Sequence, residues 1–554
     1  MQSGIRRAPT LFLGAALGAV TTLPLIALFY LGAQLAALPF VPFDLFDWLA
    51  RVLPGNVITR GIDTMVTAIQ LLGLGPISAV AKTIEQATGV VMVIAGGALI
   101  GAGIVVGMRR TRWSGAPIGG VLGALAFLAV AAIELNLNSA NIGSMPVALL
   151  WLAIMIFGWA RLLGAWLTRA EAPGPMPATT GDYRAERRAF LTRLVGGSIG
   201  VAVAAVGIGR WLELQQQASG AGRSLATLAT PTPPVSGAPA LGVEPTPFAS
   251  LTEQATLRDR LLPAPGTRPE LTATKDFYRI DIDTLPPVVD GASWKLQVSG
   301  LFERPRALTL SDLIAYPSVT QPITQGCISN PIAGDLIGTV NYTGTRLRDV
   351  LKDLGLRPEA RALAITAVDG FYEWVPLEEL MDPRTLLVYG MNGETLTVDH
   401  GFPLRIFIPN HYGMKQPKWI TALEAINREG RGYWVDRGWS ATAYPQIMAV
   451  IDTVAKDRIE NGRVPIGGIA WAGDRGIRKV EIQVDNGPWA EAMLRTPPLG
   501  PMTWVQWRYD WPVVPGRHVF RVRATEGTGA LQTPVVQDTY PDGATGYHAI
   551  TVSF

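Results

Sequence analysis

Across 554 residues the chain carries one cysteine, Cys327. A lone thiol cannot be half of an intramolecular disulfide, so a disulfide framework is excluded. Three roles remain open for it: a small buried hydrophobe, a nucleophile, or a metal thiolate. Histidine is nearly as scarce. All four (His400, His411, His518, His548) lie in the second half, so no bis-histidine haem can be assembled in the first. Charged residues make up only 16%. With a mean hydropathy of +0.25, the chain is too apolar for a wholly soluble enzyme, and part of it must meet lipid. Net charge is only +3, without a basic cluster beyond the flanks of apolar runs, which argues against a nucleic-acid partner.

What is present in the first half is apolar length. Residues 11–31, 89–108, 118–137, 147–167 and 190–212 each read as membrane-crossing helices. Arg6 and Arg7, then Arg109, Arg110 and Arg112, then Arg169, Arg184, Arg187 and Arg188 all fall on one side if the N-terminus is cytoplasmic. Five crossings deliver everything after about Trp211 to the outer side. Residues 62–80 are apolar enough for a sixth span, but inserting them would move Arg109–Arg112 outside. They read instead as an interfacial or re-entrant piece, as do residues 43–53. Glu134 is the one acid inside a span and reads as a snorkelling side chain, so no proton or ion path is expected. Glu186-Arg187-Arg188-Ala189-Phe190-Leu191-Thr192 ahead of an uncharged stretch reads as a twin-arginine export signal, or as a plain basic flank.

From residue 214 to 271 the composition turns to Pro, Ala, Thr, Ser and Gly, as in a semi-extended linker. Beyond it, Trp294–Gly300, 363–369 and 386–389 alternate like strands. Leu308–Leu313, with Thr309 as cap, and Arg346–Leu354, ended by Gly355, read as short helices. Met391-Asn392-Gly393-Glu394 is a hairpin signal. Short strands mixed with short helices predict an α+β domain with its ligand groups on loops. From about Ala449, short strands with turns predict an immunoglobulin-like β-sandwich lacking the cysteine pair of antibody domains.

Two loops carry the chemistry. One is Gln325-Gly326-Cys327-Ile328-Ser329-Asn330-Pro331. The other runs from His400 through Arg405, His411, Gly413, Lys415 and Gln416-Pro417-Lys418 to Trp419, crowding cations between apolar runs as an anionic ligand requires. Cys-x-x-Asn, then Gly334-Asp335-x-Ile337-Gly338, Tyr342-Thr343-Gly344-x-Arg346-Leu347-Arg348-Asp349, and Asp399-His400-Gly401-Phe402-Pro403-x-Arg405 together resemble the sulfite oxidase family. The resemblance covers about 276–554 and says nothing of the first half. It implies a molybdenum-molybdopterin cofactor, with Cys327 as metal ligand beside two dithiolene sulfurs. It places Phe277, Tyr278, Arg279, Asp369, His400, Arg405, Gln416 and Lys418 at the cofactor. On residue chemistry, Arg405 and Lys418 suit the pterin phosphate, His400 could donate a ring N–H, and Asp369 could accept from the pterin amino groups. Ile280 and Asp281 stand where the family has Asn-His. Plainer readings stay open: Arg405 pairing with Asp399 or Glu424, Asp369 as a turn residue, His400 in a surface hairpin, Lys415 and Lys418 on a solvated face.

Tyr433 and Arg437, within an aromatic stretch with Trp434 and Trp439, are candidates for the substrate pocket or for packing between domains. Ile332 stands where sulfite oxidases bring an arginine to their oxyanion, so sulfite is not the expected substrate. The sequence therefore divides into a membrane region (1–213), a linker (214–271), a molybdopterin-binding oxidoreductase domain (272–445) and a dimerisation-type sandwich (446–554). The expected function is oxygen-atom transfer on a small sulfur or nitrogen oxide at the outer face of the cell membrane. Electrons would be exchanged with a separate quinone or cytochrome, and the family's C-terminal domain implies a homodimer. The alternative is a membrane-anchored binding or sensory protein that keeps the fold without the cofactor.

Overall fold

The computed structural model describes residues 10–111, 113–137, 144–171, 180–220 and 261–554. The helices are α1 (Leu11–Ala36), α2 (Val41–Val52), α3 (Gly55–Leu72), α4 (Ile77–Arg110), α5 (Gly115–Leu137), α6 (Met145–Glu171) and α7 (Thr180–Gly220). Among the described residues, five helices are long and apolar enough to cross a membrane: Leu11–Ala36, Ile77–Arg110, Gly115–Leu137, Met145–Ala170 and Thr192–Trp211. The arginine pair at Arg187 lies within α7.

Two compact units emerge. Of the described residues, the helical unit takes those up to Leu53, those from Ala81 to Gly220, and Asp281–Val288. The second takes Pro54–Val80, residues 261–280 and Val289–Phe554. Residues 54–80, read from sequence as part of the membrane region, thus pack in the catalytic unit.

In the helical unit, small residues let backbones approach. A Cβ on Gly18 would lie 2.1 Å from the Gly97 carbonyl oxygen, and one on Gly14 2.6 Å from that of Gly101. Leu17, Ile104, Val105, Leu163 and Leu167 fill the core beside these contacts. Glu134 does not snorkel: it is 1% exposed and meets the Asp44 carboxyl. Asp44 on neighbouring α2 is held well above the ordinary carboxylate range by burial and by the Glu134 charge. Asp281 opens the stretch Asp281–Val288 that packs in the helical unit. Its side chain, 1% exposed, pairs with Lys82 of α4 at 3.1 Å. Asp283 pairs with Arg51 at 2.7 Å, and Thr284 donates its backbone N–H and its hydroxyl to Asp47.

The catalytic unit holds two five-stranded sheets. One runs β2 (Ala307–Thr309), β1 (Lys295–Gly300), β10 (Ile420–Ile426), β5 (Ala362–Ala367), β6 (Tyr372–Pro376), with only β1 and β10 parallel. The other runs β3 (Ser318–Gly326), β4 (Ile337–Arg346), β7 (Leu386–Met391), β8 (Glu394–Thr395), with β9 (Arg405–Phe407) paired to β7. All six residues of β7 are buried, as a central strand requires. Helix Leu347–Leu354 buries Leu347, Val350, Leu351 and Leu354 at helical spacing into the core between them and stops at Gly355, φ 70°. Helix Leu310–Ile314 starts from a capping box between Thr309 and Asp312.

Two four-stranded antiparallel sheets complete the unit: β11 (Met448–Val454), β12 (Arg463–Trp471), β16 (Val505–Pro512), β15 (Met493–Leu494), and β14 (Trp489–Glu491), β13 (Ile477–Val484), β17 (Arg517–Glu526), β18 (His548–Ser553). Ile451, Ile466 and Trp507 from the first meet Ile482, Phe520 and Val522 from the second in one core. Of the expected linker, residues 221–260 lie outside the described residues. Its C-terminal end is not loose: Arg268 pairs with Asp452 at 2.7 Å, and Trp504 donates to the Glu270 carbonyl at 3.1 Å.

Candidate active site

Cys327 follows β3 and is 7% exposed. Its backbone N–H donates to the Leu336 carbonyl at 2.8 Å, and Asn330 Oδ1 accepts from the Leu336 N–H at 2.9 Å, so residues 327–336 close into a loop. Ser329 Oγ lies 3.0 Å from the sulfur. Burial pushes the thiol up from its ordinary acidity, with Ser329 opposing.

Around the sulfur the β3 end, the 277–279 segment and the 400–418 segment converge. Gln325 Oε1 accepts from Tyr342 Oη at 2.9 Å and from Arg405 Nη2 at 3.1 Å. Arg405, 3% exposed, also donates to the His400 carbonyl at 3.3 Å and lies 5.2 Å from the Tyr342 ring centroid. It meets neither Asp399 nor Glu424. Gly413 marks where the segments meet: a Cβ there would sit 3.0 Å from both Gln325 Nε2 and Tyr278 Oη. Tyr278 is held well above the ordinary phenol range by burial and by the nearby Cys327.

Beside this cluster lies a cationic one. Phe277 stacks on Tyr278 at 5.0 Å and meets His400 edge-on at 5.5 Å. His400 is pushed down to about 3 by burial, then by Lys418, Arg405 and Arg279, so its ring is neutral. Its Nε2 sits 3.1 Å from the Thr274 carbonyl. That oxygen can only accept, so Nε2 carries the proton and Nδ1 is left as an acceptor. Arg279 pairs with Asp399 at 3.4 Å. Lys418 Nζ donates to the Asp399 carbonyl at 3.0 Å and lies 4.2 Å from the Trp419 ring centroid.

The other predicted residues have partners of their own. Asp369 Oδ1 accepts from Phe371 N–H at 3.0 Å, the contact of a turn residue. Gln416 donates to the His411 carbonyl at 2.9 Å. Lys415 is not on a solvated face: it forms a 2.8 Å ion pair with Glu373, whose side chain is fully buried. Tyr433 packs on Phe371, Tyr372 and Trp434, with the Arg437 guanidinium 3.5 Å from its ring centroid and Arg437 Nη1 donating to its carbonyl at 2.9 Å. Trp434, Val435 and Trp439 pack with Ile328, Ile332 and Ala333 of the cysteine loop in one apolar cluster. Sequence reasoning missed Gln325 and Tyr342 as partners of Arg405, although both stand inside the quoted motifs.

A buried cofactor should leave its binding groups unsatisfied without it. Tyr278 Oη, Arg405 Nε and Gln416 Oε1 are buried and lack hydrogen-bond partners. With the thiol and the cations they form a donor set that fits a pterin-bound soft metal carrying a phosphate.

Residues 283–434 match the oxidoreductase molybdopterin binding domain family. The sulfite oxidase of Arabidopsis thaliana is 29% identical over 268 residues, 39% of this chain and 68% of that protein. The Bacillus subtilis (strain 168) oxidoreductase YuiH is 29% identical over 177 residues, 32% of this chain and 87% of that protein. YedZ1 of Azospira oryzae, named for a subunit of protein-methionine-sulfoxide reductase, is 33% identical over 152 residues, 27% of this chain and 56% of that protein. The protein is a molybdopterin-dependent oxidoreductase with an N-terminal helical region apolar enough to meet a membrane. More particularly, its catalytic region is similar to the sulfite oxidases, and its cofactor is molybdenum-molybdopterin.

Proposed function

We propose that this oxidoreductase transfers an oxygen atom to or from a small sulfur or nitrogen oxide, at the outer face of the membrane that its helices cross. The observation that carries the reading is the convergence of one buried thiol, Cys327, with unsatisfied Tyr278 Oη and Arg405 Nε. When bound, molybdenum-molybdopterin supplies two-electron oxygen-atom transfer. The chain supplies position and charge. Cys327 would hold the metal as a thiolate, the metal's charge offsetting the effect of burial on the thiol. Arg405 and Lys418, with Arg279 close by, take the phosphate. His400 stays neutral and accepts through Nδ1. Tyr433 and Arg437 line the substrate side.

Ile332 and the indoles of Trp434 and Trp439 make that side apolar where an oxyanion site would place arginine. A neutral oxide is therefore favoured over sulfite. Histidine is absent from the spans, so electrons leave for a separate carrier, a quinone or a cytochrome. The two C-terminal sheets suit an immunoglobulin-like module that pairs two chains. The arginine pair before the last span suits twin-arginine export of the catalytic half with its cofactor, and basic flanks on the opposite side suit an outward orientation.

The test is molybdenum and pterin per chain in protein from a host that makes the cofactor, beside Cys327→Ser. Near-stoichiometric metal and pterin in the wild type, with activity lost in the variant, is the expected result. Neither metal nor pterin in the wild type would leave the binding-protein alternative.

A further inference from the structure

The substrate side has two walls, and both are gripped by a segment that comes from between the first two spans in sequence. One wall is the loop 327–336. Its Asp335 Oδ2 accepts the Ile77 N–H, in the first turn of α4, at 2.9 Å. First-turn N–H groups have no partner within their own helix, so the carboxylate takes one that otherwise needs water. Asp335 is bonded in sequence to Leu336, whose carbonyl holds the Cys327 N–H. The path from α4 to the cysteine is therefore one hydrogen bond, one residue and a second hydrogen bond.

The other wall is the turn at residues 432–439. Here α3 begins against the turn Val435–Arg437. A Cβ at Gly55 would stand 2.3 Å from the Arg437 carbonyl oxygen and 2.9 Å from its Cα, so only glycine permits this approach. Between its two ends the segment buries Val66, Ile69 and Ile77 and exposes Leu71, Leu72 and Leu74. The walls themselves meet in the cluster of Ile328, Ile332 and Ala333 with Trp434, Val435 and Trp439.

We propose that Asp335 and Gly55 are positioning residues for the reaction, through which the segment 54–80 fixes the spacing between the cysteine loop and the Tyr433–Arg437 turn. This rests on the functional reading above only for which substrate is turned over. The grip itself is a property of the polypeptide.

The test uses the full chain in lipid nanodiscs, with hydrogen exchange read by peptide and KM and kcat read separately. Asp335→Ala should speed exchange across 327–337 by about fivefold, the loss of roughly one net hydrogen bond. It should raise KM more than it lowers kcat. Asp335→Asn keeps an acceptor oxygen and should restore both. Gly55→Ala should speed exchange across 432–439 and raise KM with Asp335 intact, and it decides the matter if Asp335→Ala does not assemble. Wild-type exchange and wild-type KM in both Asp335→Ala and Gly55→Ala would overturn the proposal. A wild type without molybdenum would sink the functional reading, while the exchange arm would still decide this one.

Discussion

Replacing Lys415 by methionine removes one half of a buried ion pair and leaves the other half stranded. Glu373 has a fully buried side chain. Its Oε1 accepts from Lys415 at 2.8 Å and from the Trp374 N–H at 2.9 Å, and its Oε2 has no partner. Burial already pushes the pKa of this carboxyl up, and Lys415 is the chief opposing influence. Breaking such a pair from one side costs about 3–5 kcal/mol. For a domain of this size that is a melting-temperature drop of roughly 6–20 °C. Replacing both partners, Glu373→Gln with Lys415→Met, should recover most of the loss, because no uncompensated charge remains.

The pH dependence has a definite sign. With the lysine gone, the folded carboxyl holds its proton more tightly than the unfolded one. The penalty is therefore full above the folded pKa and shrinks as pH falls toward the ordinary carboxylate range. The consequence reaches the site, because a Cβ on Gly432 would lie only 1.9 Å from Glu373 Oε1. Any outward shift of the carboxylate displaces the turn that carries Tyr433. Melting of the three variants at two pH values is the assay. A single variant as stable as wild type, or a double variant as unstable as the single, would refute the reasoning.

Tyr278→Phe should change the melting of cofactor-free protein little, since Tyr278 Oη has only a weak contact with the Gln325 side chain there, yet should lower pterin retention; cofactor content beside melting checks this. His400 is neutral in the fold down to about 3 and ordinarily titrates near 6.5. The unfolded chain therefore binds the extra proton first, and wild type should lose up to about 3 kcal/mol more than His400→Gln between pH 6.5 and pH 4. Asp281→Ala should destabilise the helical unit by roughly 1–3 kcal/mol by stripping a buried partner from Lys82, with cofactor content unchanged; the reverse pattern would return Asp281 to the cofactor.

Features set by neighbours in the chain were legible. Thr309 capping its helix, Gly355 ending the next, and Asn392-Gly393 turning with positive φ at both residues all follow from local chemistry. So were the apolar spans and the resemblance carried by Cys327 and Arg405. What escaped is set by distant partners. Lys415 reads as solvated until Glu373, far off in sequence, arrives beside it. Asp281 reads as a degraded motif until Lys82 is seen to need it. The proton on His400 depends on the Thr274 carbonyl. Residues 62–80 read as membrane interface because their apolar content is visible, and the hold of Ile77 on Asp335 is not.

The central claim is that Cys327 binds the metal, and X-ray absorption at the molybdenum edge tests it most directly. The account predicts three sulfur ligands in wild type, two from the dithiolene and one from Cys327, and two in Cys327→Ser. An unchanged sulfur count in the variant, or a wild type with only two, would contradict it.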